Sequence, residues 1–212
     1  MSAGTDATAI CRRLADERLK ALEFETVRLP IGANENEPHV PIYVSPGLAS
    51  KKKVIVIFGE RNQDPTIFSY RVIGDEGVNK GSVINLLKGI QKQEAGGFHD
   101  DSAYGIVITN PCQLYWYRGG SRAVSWGEWL ALLRESGVAQ PFELDPIKNT
   151  IPGNRDFREH VRYLFSHVLP TLIHEDAKLN IVGCELTGNA ILEYFCAGDS
   201  CKLFVPHASP RY

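Results

Sequence analysis

A sharp turn from a strand into a helix constrains the fold of this sequence more than any other feature. Residues 179–188 read Leu-Asn-Ile-Val-Gly-Cys-Glu-Leu-Thr-Gly, an apolar run that gives way directly to a helical pattern. Gly183 supplies a small residue where the chain must bend. Strands that alternate with helices build α/β domains with parallel strands. We therefore predict an α/β fold in which this turn lies where a strand ends.

The turn has the layout of a nucleophile elbow without its nucleophile. In α/β-hydrolases the elbow reads G-x-S-x-G, because the serine stands on a strained turn that small residues must flank. Glu185 occupies the serine position in this sequence, Thr187 stands at the second glycine position, and Gly188 follows one residue later. We expect the turn to be preserved and the serine chemistry to be lost.

The length and charge of the chain favour one globular domain that does not bind nucleic acid directly. With 212 residues, 43% of them hydrophobic, the chain can bury a substantial core. Its 23 basic and 25 acidic side chains give a net charge of -2, so no overall basic field attracts phosphate groups. A direct RNA-binding role is the least favoured of the functions considered below.

Cysteine usage and hydropathy predict an intracellular protein, in the nucleus, the cytoplasm or both. Five cysteines without a C-x-x-C pair fit reduced thiols better than a disulfide framework or a zinc site. The first residues lack the basic start of a signal peptide, and no apolar run approaches the roughly 20 residues that cross a bilayer. We expect no membrane association, no metal and no cofactor.

Hydrophobic periodicity predicts alternating helices and strands. The predicted elements are a helix at residues 6–22, a hairpin of edge strands at 26–29 and 41–45, a buried central strand at 54–58, a helix at 82–93, a strand at 104–109, a helix at 156–168, the elbow strand at 179–183, a helix at 188–197 and a last strand at 202–205. Residues 1–22 are interpreted as an N-terminal helix and residues 23–212 as the α/β domain. Residues 110–156, rich in tryptophan and tyrosine, form a cap-like excursion.

Several short motifs follow one another in an order that resembles a known family. They are Pro-Ile-Tyr-Val-Ser-Pro at 41–46, Phe-Gly at 58–59, Ile-Gly-Asp-Glu at 73–76, Lys-Gly-Ser at 80–82, Tyr-Gly-Ile-Val-Ile-Thr-Asn-Pro at 104–111 and Ile-Val-Gly-Cys-Glu at 181–185. Taken together, they make residues 20–206 similar to the Argonaute-binding-protein (Arb-type) domain family. The resemblance implies a three-layer α/β-hydrolase-like fold with a mostly parallel sheet, here shortened at its C-terminal end.

The resemblance also implies a role. Members of the family occur in fungal small-RNA chaperone complexes, fused to fungal class II histone deacetylases, and in an animal relative. Membership implies a scaffold or adaptor in RNA silencing or chromatin regulation, with an Argonaute protein or a histone deacetylase complex as candidate partner. Relatives with an intact elbow carry a His-Ser pair at the position of Cys184-Glu185 and a His-Gly turn at Phe58-Gly59. Both differences favour a catalytically inactive domain.

Three residues are candidates for an altered hydrolase or esterase site. Glu185 has the right position, since carboxylates form covalent intermediates in some hydrolases, but Glu60 places a second acid near the expected oxyanion site. The alternative is that Glu185 bonds to local amides or to a neighbouring arginine. Cys184 would attack as a thiolate, yet its spacing from the preceding glycine favours a small buried thiol. His207 is the candidate triad histidine, and no acid accompanies it.

An aromatic segment with two arginines is the candidate binding surface. Its members are Tyr115, Trp116, Tyr117, Arg118 and Arg122, residue types that dominate interface hot spots. In the alternative interpretation, which stays open, the aromatic rings form the small core of the cap and the arginines are solvated. His160 and His167 are predicted to share a helical face, but no further ligand completes a metal site.

Overall fold

A mixed five-stranded sheet forms the centre of the described part of the protein, in a computed structural model that describes residues 3–95, 104–132 and 142–196. The strands are β1 (Glu25–Leu29), β2 (Val40–Val44), β3 (Lys53–Phe58), β4 (Gly105–Ile108), β5 (Tyr115–Tyr117), β6 (Arg122–Val124) and β7 (Lys178–Gly183). The central sheet has the order β1-β2-β4-β3-β7, and β5 and β6 form a separate two-stranded sheet. The carboxyl ends of β3 and β7 lie side by side, because Phe58 pairs with Gly183.

The directions of the strands correct the prediction of a mostly parallel sheet. The β3 strand runs parallel to both β4 and β7, as its continuous apolar sequence predicts. The β1–β2 hairpin is confirmed, and it joins the sheet antiparallel to β4. The sheet is therefore mixed. Of the two predicted edge strands, only β1 lies at an edge, because β2 lies between β1 and β4.

Helices cover both faces of the sheet. They are α1 (Ala3–Ala21), α2 (Tyr70–Glu76), α3 (Val83–Ala95), α4 (Trp126–Leu130), α5 (Phe157–Tyr163), α6 (Leu169–Leu172) and α7 (Glu185–Cys196). Val54, Val56 and Phe58 of β3 point into a core that α5, α6 and α7 cover. Ile57 points to the opposite face, into a core that α1 and α3 cover. This alternation along one strand produces three layers.

The N-terminal helix is part of this packing. It was predicted at residues 6–22 and is observed as α1. Ala15 and Leu19 are buried, and Leu19 belongs to the same core cluster as Ile84 and Leu87 of α3. Residues from α1 therefore help to build the layer that covers β3 and β4.

The helix after residue 156 continues further than the sequence predicts. Asp156 caps it, accepting hydrogen bonds from the backbone amides of Arg158 and Glu159 at 2.8 and 2.9 Å. The α5 helix then passes through a π-helical turn at 164–168 into α6, where Pro170 lies in the first turn. Proline cannot donate to the carbonyl four residues earlier, so it is tolerated where the helical pattern changes.

Three predictions fall outside the described residues. They are the strand at 202–205 and His207, which lie beyond residue 196, and the part of the excursion at residues 133–141. The helix at 188–197 is confirmed as α7, with Ala190 and Ile191 buried in the core. Among the helices described, none is long and apolar enough to span a membrane.

Candidate functional site

The backbone of the elbow is preserved. The β7 strand ends at Gly183, and Glu185 begins α7 with a φ of 48°, a conformation that is uncommon for a residue with a side chain. A nucleophile elbow places its nucleophile on such a strained turn. Glu185 therefore stands on a strained turn at the position where the sequence predicts the nucleophile of an elbow.

The two glycines of the elbow face each other across the turn. A Cβ atom added to Gly183 would lie 2.8 Å from the Cα atom of Gly188, closer than such atoms approach in proteins. This close approach of strand and helix therefore requires glycine at position 183, and a Cβ atom at Gly188 would also be tight, 3.3 Å from the carbonyl oxygen of Gly183. The partner of Gly183 is the glycine at position 188, which leaves position 187 free for a larger residue.

Thr187 uses that position to connect the elbow to the end of β3. Its side chain is fully buried, and its hydroxyl oxygen lies 2.8 Å from the carbonyl oxygen of Gly59 and 2.5 Å from that of Cys184. The backbone amide of Cys184 donates to the carbonyl oxygen of Phe58 at 3.0 Å. Sequence reasoning singled out Thr187 only for its place at the second glycine position of the elbow motif.

The side chains at the elbow carry negative charge, and no described histidine contacts them. Glu185 is exposed and makes no hydrogen bond or ion pair with any described residue, so the predicted bonds to local amides or an arginine are not found. Cys184 is half-buried, and its pKa is raised by burial and by the nearby carboxylates of Glu60 and Glu185. A raised pKa keeps the thiol protonated, and a protonated thiol is a poor nucleophile.

The four described histidines are engaged away from the elbow. His39 contacts Trp116, His160 bonds to Asn154, His167 stacks on Tyr163 and His174 lies beside Asp176. His207 lies outside the described residues, so its role as a triad histidine stays a prediction.

His160 and His167 do not share a helical face. His160 is fully buried, and burial lowers its pKa to about 3. His167 is exposed and stacks on the ring of Tyr163. The π-helical turn at 164–168 lies between the two histidines and changes the register of a regular helix. Among the described residues, no group of three His, Cys, Asp or Glu side chains is placed to hold a metal ion.

The excursion forms a small β-hairpin whose side chains alternate between core and surface. Trp116, at the centre of β5, points inward, is 3% exposed and belongs to the main core. Its neighbours Tyr115 and Tyr117 are half-buried on the other side of the strand. This placement corrects the prediction for Trp116, because a side chain in the core is not available to a partner.

Tyr115 and Tyr117 pack against aromatic residues of α4 and the following segment. The ring of Tyr115 lies 5.5 Å from that of Trp126, and the ring of Tyr117 lies 6.3 Å from that of Phe142. A Cβ atom at Gly119 would lie 2.5 Å from the hydroxyl oxygen of Tyr117. Gly119 is therefore needed for the packing of the Tyr117 ring on the hairpin turn.

Part of this aromatic cluster is open to solvent. We use the term aromatic face for Tyr115, Tyr117, Arg118, Trp126 and Phe142. Trp126 and Phe142 are 47% and 46% exposed, and Arg118 is exposed on the turn between β5 and β6. Exposed aromatic side chains beside an arginine are typical of protein interfaces. The cluster therefore has a buried side, as the alternative interpretation predicts, and an exposed side, on which binding to a partner stays a prediction.

A comparison with protein families identifies the domain. The family model described as the Arb2 domain matches residues 5–202. The chain belongs to the Arb2 domain family. This confirms the family that the sequence motifs predict, whereas the fusion to deacetylases stays a prediction. No curated protein and no solved structure gave a match.

The Arb2 match begins within α1, and α1 connects two other parts of the Arb2 domain. The guanidinium group of Arg12 bonds to the carboxylates of Asp64, after β3, and Glu128 of α4, the latter at 2.8 Å. Glu128 also closes a capping box with Ser125. Burial lowers the pKa of Arg12, but the two carboxylates raise it above its ordinary value, so the guanidinium stays charged.

Asp64 is the buried centre of this group. Its side chain is 2% exposed, and its carboxylate accepts hydrogen bonds from the amide and the hydroxyl of Thr66 at 3.0 and 2.7 Å. Arg122, a predicted binding residue, lies 3.4 Å from Glu128 at the edge of the group. Sequence reasoning missed Arg12 and Asp64, since they are 52 residues apart and belong to no local motif.

Proposed function

We propose that this Arb2 domain is a catalytically inactive, hydrolase-like adaptor that binds a protein partner in small-RNA silencing or chromatin regulation. The family name indicates a role related to Argonaute binding, and an Argonaute protein is the partner that we propose first. A histone deacetylase complex is the second candidate partner. The observation that carries the proposal is Glu185, in place of a serine, on the strained turn between β7 and α7.

The charges at the elbow support the loss of hydrolase chemistry. Acyl transfer needs donors that stabilise a developing oxyanion. The carboxylates of Glu60 and Glu185 lie near enough to raise the pKa of Cys184, and they would repel the negative charge of the oxyanion. Among the described residues, no histidine contacts Cys184 or Glu185 to activate it or the attacking water.

The aromatic face supports an adaptor role. Tryptophan, tyrosine and arginine carry most of the binding energy at protein interfaces. Trp126, Phe142 and Arg118 combine these types on one exposed part of the excursion. The face is held in place, since Trp129 beneath it donates its indole N–H to the carbonyl oxygen of Phe142 at 3.1 Å.

A hydrolase or esterase with an altered nucleophile is the second candidate function. The strained φ of Glu185 favours it, because a strained turn presents a side chain to a substrate. Hydrolysis of the covalent intermediate, the second half-reaction, would need a base, and His207 is the predicted candidate. Turnover that disappears in Glu185→Gln or Cys184→Ala would support this function in place of the first.

Binding to a purified Argonaute protein tests the adaptor role. We expect the domain to bind it and Trp126→Ala and Phe142→Ala each to weaken binding at least about tenfold, as hot-spot residues do. Leu192→Ala is the matched control, since Leu192 is 46% exposed on α7, a helix that packs against α5 and β7. The absence of binding to both an Argonaute protein and a deacetylase complex would contradict the proposal.

A further inference from the structure

A second exposed apolar region lies on α3 and the segment before it. It shares no residue with the elbow or with the aromatic face. It is a groove of about 450 Å³ lined by Phe68, Lys80, Ser82, Asn85, Leu86, Gly89 and Ile90. Phe68 is 42% exposed, and Leu86 is 41% exposed. Large exposed apolar side chains that line one concave region are typical of an interaction site.

The wall that carries Phe68 is fixed by the backbone. The amides of Phe68 and Ser69 both donate to the carbonyl oxygen of Gly81, at 2.8 and 3.0 Å. A Cβ atom at Gly81 would lie 2.6 Å from the carbonyl oxygen of Ser69, so this close approach requires glycine. The Phe68 ring is thus presented to solvent from a hydrogen-bonded segment, and the groove exists before any ligand binds.

Gly89 gives the groove its depth. It lies inside α3, where glycine is less favourable than alanine for a helix. A Cβ atom at Gly89 would meet nothing within 4 Å, so no contact in the fold requires glycine there. The missing side chain leaves room for an apolar group from outside, between Leu86 and Ile90.

The flank of the groove is positively charged. Lys88 and Lys92 are exposed on α3, three and seven residues after Asn85, and therefore lie on the side of the helix next to Asn85. Within the described residues, neither lysine forms an ion pair, whereas Lys80 in the lining pairs with Glu76. Two exposed cations beside an apolar groove, with no ion pair among the described residues, complement an acidic ligand with an apolar anchor.

We propose that this groove binds an acidic peptide segment of a protein partner, which inserts a large apolar side chain over Gly89 and places carboxylates against Lys88 and Lys92. The inference rests on the adaptor role proposed above and adds a second binding surface to it. In this mode of peptide recognition, an apolar side chain inserted into a preformed groove provides affinity, and the charges beside the groove provide specificity.

Selection from a displayed library of random dodecapeptides tests the groove without a known partner. We expect the enriched peptides to combine aspartate or glutamate with leucine, isoleucine or phenylalanine. Gly89→Trp fills the groove and should weaken their binding at least about tenfold. Gly74→Trp is the matched control, because a Cβ atom at Gly74 in α2 would also meet nothing within 4 Å.

The charge of the flank is tested with the same peptides. The double variant Lys88→Glu/Lys92→Glu should weaken binding by a similar factor, and Lys51→Glu/Lys52→Glu, with the same change of charge elsewhere, should not. No enrichment, or enriched peptides that bind Gly89→Trp as well as the original protein, would overturn the proposal. A variant that fills only the groove should still bind an Argonaute protein through the aromatic face. The experiments can therefore contradict the groove proposal and the adaptor proposal independently of each other.

Discussion

The hydroxyl oxygen of Thr187 lies 2.8 Å from the carbonyl oxygen of Gly59, and this contact joins the elbow to the end of β3. Gly59 follows the strand where a hydrolase would arrange its oxyanion donors. In this Arb2 domain the same region is held by a buried hydrogen bond and accompanied by the carboxylate of Glu60. The elbow has become a structural junction between β3, β7 and α7.

Replacement of Thr187 tests that junction. Thr187→Val keeps the shape of the side chain but removes the donor, so we expect a loss of about 1–3 kcal/mol in the free energy of unfolding. Thr187→Ser keeps the hydroxyl and should lose less. Urea denaturation followed by circular dichroism measures both. Equal stability of Thr187→Val and the original protein would contradict the structural role of this hydrogen bond.

Arg12 should be the most important single ionic residue for stability. Arg12→Met leaves the buried carboxylate of Asp64 without its cation, and removing one partner of a buried pair costs about 3–5 kcal/mol. Arg13→Met is the control, since Arg13 is largely exposed and its pair with Glu17 lies at the surface. That control should change stability by less than about 1 kcal/mol. Similar losses in the two variants would show that α1 does not depend on the Arg12 contacts.

The burial of His160 predicts a dependence of stability on pH. Its pKa is about 3 in the folded protein and has an ordinary value of 6.5, so the unfolded chain binds a proton that the folded protein does not. The contribution of neutral His160 to the free energy of unfolding is therefore fully present above pH 6.5. It falls as the pH decreases toward 3, by at most about 1.4 kcal/mol per pH unit. Denaturation at several pH values, compared with His160→Gln, measures this contribution. If the free energy of unfolding of His160→Gln changed with pH as steeply as that of the original protein, this prediction would be contradicted.

The two tryptophans of the excursion should behave differently. Trp116→Ala removes a core side chain, so we expect a loss of about 3–5 kcal/mol in the free energy of unfolding. Trp126→Ala removes a half-exposed side chain and should lose less than about 1 kcal/mol, while it weakens partner binding. Denaturation and binding measured on the same preparations separate the two effects. A large loss of stability in Trp126→Ala would place that ring in the core.

The elements that local patterns determine are those that the sequence predicts well. The continuous apolar run of β3 and the glycine turn after β7 predict two strands and the position of Glu185 directly after the second one. The orientation of the hairpin β1–β2 and the continuation of the helix through Pro170 depend on packing with distant residues. These features carry no local signal, which explains why the sheet was predicted as mostly parallel.

The candidate site shows the same division. The position of Glu185 follows from a short motif, but the direction of Trp116 depends on which side of a three-residue strand meets the core. The bond between Arg12 and Asp64 spans 52 residues, and that between Arg12 and Glu128 spans 116. Pairs so distant in sequence become visible only when the fold places α1 beside α4.

Turnover by the purified domain is the most direct measurement. A panel of ester substrates and a reactive active-site probe would be applied to the original protein, to Glu185→Gln and to Cys184→Ala, with folding checked by circular dichroism. An inactive adaptor gives neither turnover nor labelling in any of the three proteins. Turnover or labelling that disappears in either variant would contradict the loss of catalysis and identify a hydrolase with an altered nucleophile.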